Sequence, residues 1–171
     1  MKKTFNLKKT LLTILLGISL ISCGKKQNFF EKIKNETGIK MEQNQNLKTG
    51  YVIKVYDGDT ITLEDKTRIR FCGIDAPELK QKGGKFSQEN LYNKIYNKKI
   101  QYEVISVDRY GRTVAKVYYK GEYINKYMLE SGSAWWYEEY SKNDKDLENA
   151  FENAKKNRIG IFKDYNIKNP S

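Results

Sequence analysis

The chain has 171 residues, 32 basic and 21 acidic side chains, a net charge of +11 and no histidine. That length accommodates one domain with tails and excludes two large ones. The missing histidine excludes hydrolysis through an imidazole base and any histidine-bound metal, so a metal here must be held by oxygens, as Ca²⁺ and Mg²⁺ are.

In chain order, Lys2, Lys3, Lys8 and Lys9 precede an apolar run from Leu11 to Leu20. The run is too short to span a bilayer comfortably, and the order is that of a secretory signal over residues 1–22. Leu20-Ile21-Ser22-Cys23 resembles a bacterial lipobox, in which Cys23 is lipidated and becomes the mature N-terminus. Removal of the signal takes four lysines and leaves a charge of +7, which suits a polyanion partner: nucleic acid, anionic lipid or cell-wall polymer. Residues 23–48 then read as a lipidated terminus and polar tether, interrupted by Phe29-Phe30. With Cys23 lipidated, Cys72 has no disulfide partner and reads as a buried, inert thiol.

The folded domain is expected over 49–165, with a short tail at 166–171. Tyr51, Ile53 and Val55 alternate with Val52, Lys54 and Tyr56 as in a strand. Asp57-Gly58-Asp59 turns, Thr60 to Glu64 returns, and Thr67 to Ile74 predicts a third strand stopping at Pro77. Lys85 to Asn97 predicts a helix; Ile100, Tyr102 and Val104 alternate again; Asp108 to Gly111 turns; and Thr113 to Tyr119 predicts a fifth strand. A second helix is expected over Tyr123 to Ser131, closed by Gly132. The third carries Leu147, Ala150, Phe151 and Ala154 on one face, with Lys155, Lys156 and Arg158 at its end before Gly160. Five short strands with a helix after the third make an α+β, mainly β, architecture: a five-stranded OB-type barrel with three packed helices. The 13 tyrosines read mostly as strand and helix filler.

Three segments hold charges that a barrel interior does not need: Asp57 to Thr60, Arg70 to Glu78, and Asp108 to Arg112. Each alone reads equally well as turn chemistry or solvated surface. Together they suit phosphodiester hydrolysis. Two aspartates at neighbouring strand ends hold a hard cation, a glutamate positions or deprotonates water, and arginines neutralise charge on phosphorus. One difficulty stands: strict alternation sends Arg70 and Asp75 to opposite faces, unless Gly73 marks a bend.

Val-Ile-Lys-Val-Tyr-Asp-Gly-Asp-Thr at 52–60, Ile-Arg-Phe-Cys-Gly-Ile-Asp-Ala-Pro-Glu at 69–78 and Asp-Arg-Tyr-Gly-Arg at 108–112 resemble the staphylococcal nuclease homology signatures, in that family's order. Gly-Ile-Phe at 160–162 is similar to its closing Gly-Leu-Trp, so the resemblance spans about Gly50 to Phe162. It implies an OB-fold, calcium-dependent nuclease that cuts DNA and RNA to 3′-phosphate ends, most simply as a monomer. By position it implies Asp59, Asp75 and the main-chain carbonyl of Ala76 (usually threonine) as Ca²⁺ ligands. Arg70, Arg112 and Glu78 match its catalytic positions, and Arg109, Tyr110 and Tyr140 its substrate contacts. Glu138 falls where a second tyrosine is expected, and the loop after Glu78 is short. With Cys23 lipidated, the implied location is the cell envelope, outside the cytoplasm. The rival reading is a non-catalytic nucleic-acid-binding OB-fold lipoprotein; such domains lose the carboxylates or arginines, and here the set is complete.

Overall fold

The computed structural model describes residues 47–164. The chain divides into two units, Met1–Asn44 and Gln45–Ser171, and every described residue belongs to the second. The secretory signal, Cys23, the tether with Phe29-Phe30 and the tail at 166–171 lie outside the described residues.

β1 (Lys48–Val55) pairs antiparallel with β2 (Thr60–Leu63), and β2 with β3 (Arg68–Phe71). The β1–β2 register shifts between Val52 and Lys54, so Val52 and Val55 both point inward although three residues apart. β5 (Lys99–Val107) pairs with β1 and with β6 (Thr113–Tyr119). Parallel pairing of β3 with β6, Ile69 opposite Thr113, closes these five strands into a barrel. The expected α+β, OB-type architecture with three helices is therefore the one observed. β7 (Glu122–Tyr123) adds two residues beside β6.

Ile61, Leu63, Ile69, Phe71, Ile100, Ala115 and Val117 fill the barrel and are almost fully buried. Helices α1 (Gly84–Ile95), α2 (Ile124–Glu130) and α3 (Lys145–Lys156) cover it with Leu91, Ile95, Met128, Leu129, Leu147 and Ala150. Asp144 caps α3 by accepting from the Leu147 N–H at 3.3 Å, and Lys155 and Lys156 oppose the dipole at its end. The chain then closes backbone to backbone. Gly132 and Gly160 both have positive φ, and a Cβ on either would lie 2.2 Å from a carbonyl oxygen beside the other. The Ile161 N–H bonds to the Gly132 carbonyl at 2.9 Å, which explains the glycine in Gly-Ile-Phe.

Two expectations change. The third strand stops at Phe71, turns at Cys72-Gly73 and resumes as β4 (Ile74–Asp75), paired with β8 (Trp135–Trp136) in a separate ribbon. The filler reading of the tyrosines is narrowed: Tyr102 is buried and Tyr119, Tyr123 and Tyr127 pack against the core, whereas Tyr51, Tyr92, Tyr96, Tyr110 and Tyr140 are exposed. Cys72 is a buried, free thiol, and burial raises its pKa, as expected of an inert one.

Candidate active site

The turn after β1 is tied by Asp57, whose Oδ1 accepts the N–H groups of Asp59 (2.9 Å) and Thr60 (2.7 Å). Gly58 has no room for a side chain: a Cβ there would lie 1.8 Å from Ser87 Oγ on α1 and 2.8 Å from Ala76 Cβ. Helix α1 thus presses on the turn, and Ser87 Oγ donates in turn to the Ser133 carbonyl at 2.6 Å. Asp59 ends up buried.

The break after β3 resolves the alternation difficulty. Gly73 adopts φ 74°, a left-handed conformation that flips the chain between Arg70 and Asp75. Buried Asn125 holds the break, donating from Nδ2 to the Cys72 carbonyl (2.8 Å) and accepting the Val117 N–H (2.9 Å). Arg70 and Asp75 therefore meet. The guanidinium of Arg70 donates through NH2 to Asp75 Oδ1 (2.6 Å) and through NH1 to the Ile74 carbonyl (3.0 Å), and its NH1 forms an ion pair with Asp59 Oδ2 (2.6 Å). Asp59 Oδ2 also accepts the Ala76 N–H at 2.6 Å, and Thr60 Oγ1 donates to its Oδ1 at 3.0 Å.

Burial, and then the charges of Asp57 and Asp75, push the Asp59 carboxyl up to about 8, while Arg70 and the Ala76 N–H draw it down. Two aspartates share one guanidinium, with the charge of Asp57 close by, and that surplus of negative oxygen suits a hard cation. Among the described residues no three acidic or cysteine side chains group as a metal site. The side-chain donors stop at Asp59 and Asp75, so the shell must be completed by the Ala76 carbonyl and water. The residues present fit Ca²⁺ on those terms.

Arg70 also lines a groove of about 580 Å³ whose other wall is the β5–β6 hairpin tip, with Asp108, Arg109, Tyr110 and Arg112. Past Val104 both faces of β5 are exposed, so the hairpin stands off the barrel as an arm. Asp108 binds its turn together, accepting the N–H groups of Tyr110 and Arg112 (2.9 Å each) and Arg112 Nε (2.7 Å). Arg109 and Arg112 lie 4.8 and 5.5 Å from the Tyr110 ring centre. Tyr140 is 64% exposed and lines the groove. Beside it stands Tyr137, its ring 4.9 Å from that of Tyr140, while Glu138 is exposed in the following 3-10 turn.

Glu78 follows buried Pro77 and is exposed. Its N–H bonds to Gln81 Oε1 at 2.8 Å, and α1 abuts its carbonyl, which a Cβ on Gly84 would approach to 1.9 Å. Asp59, Arg70, Asp75 and Ala76 thus form one contact cluster. Arg109, Tyr110, Arg112 and Tyr140 join Arg70 in the groove. Glu78, two residues beyond Ala76, makes no direct contact with either set. Sequence reasoning missed Gln81 and Asn125, which no local pattern marked; Tyr137 belongs to the aromatic stretch 134–140, for which the sequence leaves base stacking and core packing both open.

A family model described as "Staphylococcal nuclease homologue" matches residues 68–164. A Haemophilus influenzae protein named "Uncharacterized endonuclease" is 40% identical over 124 residues, covering 70% of this chain and 69% of its own. An Escherichia coli protein of the same name is 36% identical over 119 residues, covering 67% of this chain and 77% of its own. A "Micrococcal nuclease" of Shigella flexneri is 33% identical over 134 residues, covering 71% and 77%.

Proposed function

The chain belongs to the staphylococcal nuclease homologue family, and on that premise we propose that it is a calcium-dependent nuclease hydrolysing phosphodiester bonds of DNA or RNA. The observation that carries this reading is the Arg70 guanidinium clasped between Asp59 and Asp75, at 2.6 Å from each, on the rim of a groove shared with Arg112. A structural ion pair needs neither the second carboxylate nor the neighbouring groove.

Asp59, Asp75 and the Ala76 carbonyl would hold Ca²⁺, which when bound supplies electrostatic neutralisation of phosphate charge. Arg70 and Arg112 donate N–H groups to the phosphate oxygens, and Asp108 keeps Arg112 oriented through its Nε. Glu78, held at the end of α1, accepts a proton from the attacking water. The water oxygen bonds to phosphorus, the bond from phosphorus to the 5′ oxygen breaks, and that oxygen leaves as a hydroxyl after taking a proton from solvent. A 3′-phosphate remains on the other fragment. Tyr110, Tyr137 and Tyr140 offer aromatic faces to the bases along the groove, with Arg109 beside the backbone. Plasmid and single-stranded DNA should be degraded with Ca²⁺ and left intact in excess chelator; undiminished cutting in chelator would overturn the metal assignment.

The lysine-led apolar run and Leu-Ile-Ser-Cys support a further reading: the domain works outside the cytoplasm, tethered to the membrane through lipid on Cys23.

A further inference from the structure

A second cationic site lies next to Arg70 on the outer face of the barrel. The strand registers set Lys54 opposite Thr62 and Thr62 opposite Arg68, so the three form a row across β1, β2 and β3. One step along, Thr60 stands opposite Arg70. Ile69 and Phe71 point into the core, so Arg68 and Arg70 share the outward face, about 6.6 Å apart at two strand residues.

Tyr56, immediately before the Asp57 turn, gathers the two cations of that row. Its ring centre lies 4.2 Å from Lys54 Nζ and 5.1 Å from Arg68 Cζ, and Thr62 Oγ1 donates to its hydroxyl at 3.4 Å. The tyrosine pKa is lowered, first by that hydrogen bond and further by the two positive charges, which together outweigh the opposing effect of burial. Lys54 and Arg68 form no ion pair with any described carboxylate, whereas Arg70 and Arg112 do. Two like charges on one ring repel each other, and the ring's attraction offsets only part of that. An anion placed between them would relieve the rest.

We propose that Lys54, Tyr56 and Arg68 form a phosphate-binding subsite for the nucleic-acid strand, one strand repeat beyond Arg70. This rests on the nuclease reading and adds to it a direction: the substrate backbone crosses Arg70 and continues over β3 towards β1. The two-residue repeat of β3 sets a cation under each of two neighbouring phosphates of an extended single strand. Double-stranded substrate, whose phosphates follow a helical path, would match the row less well, so the subsite favours single strands.

The test is binding of a fluorescent oligothymidylate to the protein in chelator, by anisotropy over a series of salt concentrations. Wild type is compared with Lys54→Gln, Arg68→Gln, the double variant, and Lys156→Gln at the exposed end of α3. Each lost phosphate contact should reduce the slope of log affinity against log salt by about 0.7, and the double variant by about 1.4. Lys156→Gln should leave the slope at the wild-type value. Tyr56→Phe, which keeps the ring, should bind more tightly than Tyr56→Ala. Circular dichroism melts on the same samples establish that the outer-face variants are folded. A folded double variant whose slope and affinity match wild type would overturn the subsite. Failure of the nuclease reading shows differently: wild type would then cleave nothing with Ca²⁺, while the binding series still reports on the subsite.

Discussion

Both amino groups of Arg70 are engaged by carboxylates, so a phosphate arriving there must share a guanidinium already held in place. That rigidity gives the planar fork its value, and lysine cannot reproduce it. Arg70→Lys and Arg112→Lys should each lower turnover on single-stranded DNA by roughly 10²–10³-fold while the fold persists. Near-normal rates for the lysine variants, with unchanged circular dichroism, would show that these arginines supply only surface charge. Asp108 makes a different prediction. Burial raises its pKa, but the N–H groups of Arg112 and Tyr110 outweigh it and hold the carboxyl below its usual value. A depressed folded pKa contributes stability above the unfolded value, lost as pH falls through the folded one. The hairpin tip should therefore stay ordered at neutral pH and loosen only below about pH 4. Asp108→Asn should flatten the acid limb of a stability profile in that range, and an unchanged limb would contradict this.

The decisive element is the interrupted strand from Arg68 to Asp75. Without the left-handed residue at Gly73, Asp75 would continue β3 and leave Arg70 behind. A Cβ at Gly73 would lie 2.7 Å from Ser141 Cβ and 2.8 Å from Leu147 Cδ1, in addition to the strain of φ 74°. Gly73→Ala should destabilise by about 1–3 kcal/mol, and activity should fall beyond what the lost folded fraction explains. Asn125→Leu would strand the Val117 N–H and the Cys72 carbonyl in a dry interior, costing about 2–4 kcal/mol. Thermal melts should read that as a drop of roughly 4 °C per kcal/mol. A melt within a degree of wild type would remove Asn125 from this account. The break itself was legible only as a doubt raised by counting residues. Its outcome depends on Asn125, 53 residues away, which no local pattern connects to it.

Over the whole molecule the arm, the barrel and the α1 turn converge from distant parts of the sequence, and the parallel pairing of β3 with β6 brings Arg70 and the 108–112 hairpin to one groove. The location proposal is tested at this scale. If Cys23 carries lipid, the protein should sediment with membranes, and Cys23→Ala should release it or leave it unprocessed. Wild-type protein found wholly in the soluble fraction would mean ordinary secretion. The nuclease reading would survive that result, because it rests on the described domain.

The sequence by itself determined the element order, the barrel class and the identity of the charged cluster. Alternation, turn residues and ordered motifs are local properties, written in neighbouring residues. It also determined that any metal must be held by oxygen, since the chain has no histidine to offer. Only the tertiary structure decided that Asp75 turns back to Arg70 and that Tyr137 rather than Glu138 lines the groove. It alone placed Lys54 and Arg68 on one tyrosine ring. Those outcomes depend on strand register and on a single positive φ held by a remote asparagine. Register is set by how the barrel closes, and closure is a property of all five strands at once.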